Sequence, residues 1–222
     1  MMPPIQYLFP SELGTEIIYS FIIILSSLMI FFSTKEIYKL SSYKGLKYFR
    51  YAFLFFAIAY FLRYSTIFLL KFLNKFQAIR IPPRSILTLS LFLFMYFSSM
   101  AIFYLLYSVM WKKWGPDSKI IIFNMISLII ATIGISFRGI MGSLIINIIF
   151  FISTAIILLL AKRKNDKNGL FVVYLLLFAF FFLNIINTLI PEFLQMYKII
   201  IYLVSIFLFM TILYKVLRKV GN

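Results

Sequence analysis

Seven long apolar stretches, almost free of charge, dominate this chain and limit what it can become. They run Ile17–Thr34, Tyr51–Leu70 with Arg63 inside it, Ser85–Trp111, Ile120–Phe137, Gly139–Ala161, Asn168–Pro191 and Ile199–Tyr214. A helix needs roughly 20 apolar residues to cross the hydrocarbon core of a bilayer. Runs such as Leu144–Ile146, followed by Ile148–Phe151, are apolar on every side, which excludes the alternating strands of a membrane barrel. The connections are too short to hold a soluble domain. The expected fold is all-α: a single polytopic membrane domain over 1–222, with seven transmembrane helices at about 14–34, 48–70, 85–111, 118–137, 139–161, 169–190 and 195–216.

Composition agrees. The chain is 64% hydrophobic and 13% charged, whereas a soluble domain is near half apolar and a quarter charged. It contains no Cys and no His. That removes disulfides, thiolate nucleophiles, the commonest general base and the usual zinc or haem ligand. The acidic residues are only Glu12, Glu16, Glu36, Asp117, Asp166 and Glu192. No catalytic residue, cofactor or metal site is expected, and an enzyme is not.

The net charge of +16 invites a nucleic-acid reading, but its distribution points to topology. Cytosolic segments of membrane proteins collect Lys and Arg. With the N-terminus outside, the inner segments hold Lys35, Lys39, Lys44, Lys47 and Arg50, then Lys112, Lys113 and Lys119, then Lys162, Arg163, Lys164 and Lys167, then Lys215, Arg218 and Lys219. The outer segments hold only Lys71, Lys75, Arg80, Arg84, Arg138 and Lys198. The chain is therefore expected N-out and C-in, in the cell membrane. The basic inner loops would lie against anionic lipid headgroups, and no nucleic-acid partner is expected. Residues 1–16 carry no basic n-region, so the first span reads as a retained anchor. Pro82–Pro83, Gly115–Pro116, Asn168–Gly169 and Pro191 punctuate the connections. Trp111 and Trp114 bracket Lys112 and Lys113, a pattern of interface anchoring.

Polar groups inside a bilayer are costly, so they mark pairing or function. Arg63 reads as the charged residue well inside a span, about 10 Å below the outer end of its helix. It either snorkels outward past Thr66 or faces the bundle, as an anion site or as the partner of Glu16. Asn147, Asn184 and Asn187 fall at the same depth, and the last two share a helix face. Thr132 and Ser136 also lie toward the outer end. The alternative for each is a bond across helices that merely holds the bundle together. Taken together, Arg63, Thr66, Asn147, Asn184 and Asn187 predict an outward-opening cavity suited to an anionic or zwitterionic small ligand.

The segment from Leu40 to Phe56 (Leu-Ser-Ser-Tyr-Lys-Gly-Leu-Lys-Tyr-Phe-Arg-Tyr-Ala-Phe-Leu-Phe-Phe) resembles a stretch of uncharacterised archaeal seven-span membrane proteins. That resemblance implies the topology and brings no activity with it. Microbial rhodopsins share the topology but need a lysine in the middle of span seven, where this chain has Leu203–Phe207. Small sugar transporters with a 3 + 1 + 3 layout also share it, but their proline hinges have no counterpart here. Phe56–Ala57 and Thr66 match Phe178–Ala179 and Thr188 at one offset, as a 3 + 1 + 3 repeat would require. The function expected is a receptor or sensor binding a small or lipid ligand and signalling to a partner protein. The alternative is a small transporter or permease of the 3 + 1 + 3 kind.

Overall fold

The computed structural model describes residues 13–75, 83–114, 119–136, 140–163, 171–190 and 194–220. They form seven helices: α1 (Leu13–Ser41), α2 (Lys44–Lys75), α3 (Pro83–Trp114), α4 (Lys119–Ser136), α5 (Ile140–Arg163), α6 (Phe171–Leu189) and α7 (Gln195–Val220). Six are long and apolar enough to cross a membrane, over Ile17–Ser41, Lys44–Thr66, Ser85–Lys112, Leu144–Lys162, Phe171–Leu189 and Met196–Arg218. α4 is apolar over the shorter stretch Ile120–Ser136. At 1.5 Å per residue that is about 26 Å, just under the roughly 30 Å of a hydrocarbon core. The seven-helix expectation thus holds for the helices, while six meet the length for spanning.

The surface is that of a chain built for lipid. Phe21, Phe32, Ile121, Met125, Leu159 and Phe207 are all more than 60% exposed, on a scale no water-soluble surface tolerates. The interior holds small hydroxyls beside its apolar side chains. Ser20, Ser26, Ser27, Thr34, Ser98, Ser99, Ser108, Ser127, Thr154 and Ser205 are buried. Small residues let helix backbones approach where lipid offers no hydrophobic drive to associate. Many of these hydroxyls bond their own helix rather than a neighbour. Thr34 Oγ1 donates to the Ile30 carbonyl at 2.6 Å and Ser99 Oγ to that of Met95 at 2.8 Å. The role of interhelical glue falls mainly to other pairs.

The helices form a closed ring in the order α1, α2, α3, α5, α6, α7, with α7 returning to α1. α4 stands outside this ring, against α3 and α5. The ring is filled by aromatic rings that are fully buried: Phe49, Phe53 and Phe56 of α2, Phe180 of α6 and Phe209 of α7. Phe209 packs edge-on against both Phe53 (6.4 Å) and Phe180 (5.0 Å), an arrangement favoured by the ring quadrupoles.

The basic connection between the first two spans is almost entirely helical, which differs from the loop expected over about 35–47. Only Ser42 and Tyr43 lie outside helix. Ser42 sits in the left-handed region (φ 49°), and its N–H donates to the Tyr38 carbonyl at 2.9 Å. That is a left-handed helix cap of the kind usually built with glycine. α2 then starts at once, because Gly45 lets its first turn sit directly against the end of α3. A Cβ on Gly45 would lie 2.8 Å from the Ser108 carbonyl oxygen and 3.0 Å from Trp111.

Candidate functional site

A cavity of about 480 Å³ opens between four helices of the ring, in the half nearer the α2–α3 connection. Each wall contributes one helix face. α2 supplies Phe56, Tyr60 and Arg63, spaced as a single stripe. α3 supplies Leu91, Phe94, Met95 and Ser98, which recur at three and four residues. α5 adds Asn147, flanked by Ile146 and Phe150, and α6 adds Phe181, Asn184, Asn187 and Thr188. Four of the residues expected from sequence, Arg63, Asn147, Asn184 and Asn187, are therefore brought to one cavity by three helices, α2, α5 and α6.

Arg63 faces the bundle. Its guanidinium lies 4.8 Å from the Phe94 ring centroid and 5.6 Å from that of Tyr64. Cation–π contact of this kind holds a guanidinium in place against the rings. Across the cavity, Asn147 Nδ2 donates to Thr188 Oγ1 at 2.9 Å, and Thr188 Oγ1 in turn donates to the Asn184 carbonyl at 2.9 Å. This chain ties α5 to α6 and orients the Asn147 amide. Asn187 Nδ2 reaches the Tyr202 hydroxyl at 3.5 Å. Two polar atoms of the lining are buried with no hydrogen-bond partner among the described residues: Asn187 Oδ1 and Ser98 Oγ. The site thus combines a cation, several amides and apolar rings. Among the described residues, no group of three or more His, Cys, Asp or Glu could hold a metal ion.

Other expected residues lie elsewhere. Thr66 Oγ1 donates to its own helix, to the Leu62 carbonyl at 2.8 Å, and Thr66 does not line the cavity; Thr188 of α6 does. Thr132 and Ser136 bond carbonyls of α4 on its exposed side. Glu16 falls in the first turn of α1, but its side chain, and with it the Glu16–Arg63 pair, lies outside the described residues. At the other end of the bundle, Trp111 packs edge-on against Tyr43 at 5.4 Å, with Lys112 Nζ 5.8 Å from its ring. Trp114 packs on Phe123 of α4 at 5.6 Å. The side chain of Lys113 lies outside the described residues.

Two residues escaped the sequence reading. Ser98 is one hydroxyl among many in this sequence; its i, i+3/i+4 register with Leu91, Phe94 and Met95 is the signal that places it in the cavity wall. Arg50 is a second arginine inside an apolar helix rather than in a loop. Its Nε donates to the Phe31 carbonyl at 3.1 Å, and its guanidinium lies 4.7 Å from the Phe31 ring. It joins α1 to α2 far from the cavity.

An uncharacterized protein of Archaeoglobus fulgidus is 31% identical to this chain over 224 residues, covering 98% of this chain and 96% of the archaeal one. The chain belongs to the family of that protein. The family likeness extends over the whole bundle, well beyond the stretch from Leu40 to Phe56. No protein-family model matches the chain, and no solved structure matches it.

Proposed function

We propose that this family member is a membrane receptor or sensor that binds a small or lipid ligand in an outward-facing polar cavity. All seven helices cross the cell membrane in this reading, N-terminus outside and C-terminus inside, which sets the cavity in the outer half. The observation that carries it is the convergence of Arg63, Asn147, Asn184 and Asn187 on one cavity. An intramembrane arginine in a cavity wall marks a site suited to an anionic group, and the amides can orient that group by hydrogen bonds. The protein is read as a non-enzyme. It would pass its signal from the basic inner ends of the helices, which lie against anionic headgroups, to a partner protein.

A second reading, a small transporter, is favoured by the pattern of helix contacts. Mapping α1 to α5, α2 to α6 and α3 to α7 carries every contact of the ring onto another: α1·α2 onto α5·α6, α2·α3 onto α6·α7, and α3·α5 onto α7·α1. α4 is left over as a linker, which is the layout of a parallel 3 + 1 + 3 repeat.

The test is binding to the purified full chain in detergent across a panel of carboxylates, phosphates and amino acids. A charge-assisted hydrogen bond contributes about 1.5–3 kcal/mol, so Arg63→Ala should weaken any anionic ligand by roughly 10- to 100-fold. Unchanged affinity in Arg63→Ala would remove the site. Flux of the bound ligand in proteoliposomes would then favour transport over sensing.

A further inference from the structure

The cavity has two levels with different chemistry. Arg63 lies about two helical turns from Phe56 along α2, and Leu91 lies about two turns from Ser98 along α3. Asn187 stands in nearly the same relation to Phe181 on α6. Two turns of helix span about 10 Å. The upper level, toward the α2–α3 connection, therefore presents the guanidinium and an amide. The floor presents Phe56 and Phe181, whose rings touch at 6.0 Å, and beside them the hydroxyl of Ser98.

Among the described residues Ser27, Ser98 and Ser127 have buried hydroxyls without a hydrogen-bond partner, and of these Ser98 lines the cavity. It is only 2% exposed, and its Oγ has no hydrogen-bond partner among the described residues. Its neighbours do otherwise: Ser99 Oγ bonds the Met95 carbonyl at 2.8 Å, and Ser90 Oγ the Leu62 carbonyl at 3.3 Å. A serine on a membrane helix ordinarily back-bonds to its own preceding turn. Leaving a buried hydrogen bond unmade costs about 1–3 kcal/mol. A hydroxyl that leaves it unmade in the wall of a cavity is placed for a group that enters the cavity.

We infer that the ligand is an amphipathic monoanion: a carboxylate at the level of Arg63, an apolar body along Phe94 and Met95, and a hydroxyl at its far end that pairs with Ser98. The inference rests on the proposed anion site and adds the ligand's far end. A hydroxyl can both donate and accept, so it satisfies Ser98 whichever way the serine proton turns. Asn187 Oδ1, a buried acceptor at the upper level, opposes a second negative group there, which leaves a single charge for Arg63. The rings along the body suit an aryl group.

The experiment compares para-hydroxyphenylpropanoate with phenylpropanoate by calorimetry on the full chain in nanodiscs, with para-hydroxyphenethylamine as the cationic counterpart. The hydroxylated acid should bind about tenfold more tightly than its deoxy analogue, the worth of one hydrogen bond to a buried group. The amine should not bind. Ser98→Ala should erase the tenfold preference, read as the ratio of the two acids' affinities for that variant, and Ser98→Thr, which keeps the hydroxyl, should restore it. Equal affinity of the two acids for the native chain, a preference that survives Ser98→Ala in a monodisperse sample, or no binding of either acid overturns the inference. The broader anion reading fails separately, if Arg63→Ala matches the native chain across the carboxylate and phosphate panel.

Discussion

At the scale of single residues, the tightest constraint lies at Gly45, where the first turn of α2 rests on the end of α3. A side chain there would strike the Tyr43 ring at 2.5 Å and a backbone oxygen, that of Ser108, at 2.8 Å. Backbone within a helix cannot swing aside as a side-chain tip can. Gly45→Ala should therefore lower stability by about 1–3 kcal/mol, the usual range for overpacking, read as an earlier midpoint of unfolding in mixed detergent. An unchanged midpoint would mean that the two helices can part freely. Gly134 offers the contrast: its neighbours are the ends of Ile146 and Met95, which are flexible. The candidate site was largely legible at this scale, because Arg63 and three asparagines stand out against an apolar background. Ser98 did not stand out. One serine among many carries no mark in the sequence of the hydrogen bond it fails to make, and Thr66 carries no mark of the one it makes to Leu62.

At the scale of helices, sequence gave order and approximate bounds but not partners. Apolar stretches mark where a helix must hide its backbone from lipid. They do not say that a helix continues past the charges that end its apolar stretch, as α1 does through Lys35 and Glu36, both exposed. Nor do they show that α4 stands apart from the ring, since every stretch here is apolar all round. What holds α4 in place is visible only in the fold. Tyr96 of α3 donates its hydroxyl to Asn124 Oδ1 of α4 at 2.5 Å, while Asn124 Nδ2 bonds the Ile120 carbonyl at 3.1 Å. Beside this pair, Phe103 and Phe123 stack at 5.2 Å. A double-mutant cycle of Tyr96→Phe and Asn124→Leu should give a coupling energy near 0.6 kcal/mol and at most about 1.7 kcal/mol, as for other bonds between membrane helices. Zero coupling would leave the ring stack as the attachment of α4.

At the scale of the molecule, the proposed orientation can be tested directly, because the chain has no cysteine of its own. Leu40, at the end of α1 and 90% exposed, would face the cytosol. In intact cells, Leu40→Cys should resist a membrane-impermeant maleimide added outside and react once the cells are permeabilised. Labelling without permeabilisation would invert the molecule and turn the cavity inward. The ring has a further consequence for the order in which the protein is made. Its closing contact joins the first helix to the last: Tyr19 meets Tyr202 at 4.9 Å, and Ser26 Oγ lies 3.9 Å from Met210 Sδ. Among the described residues the cavity walls come from α2, α3, α5 and α6. A nascent chain therefore holds every lining residue before α7 emerges, while the inner seam of α1, with Tyr19, Ile23 and Ser26, still lacks its cover. α7, made after all four wall helices, completes the seal, not the site.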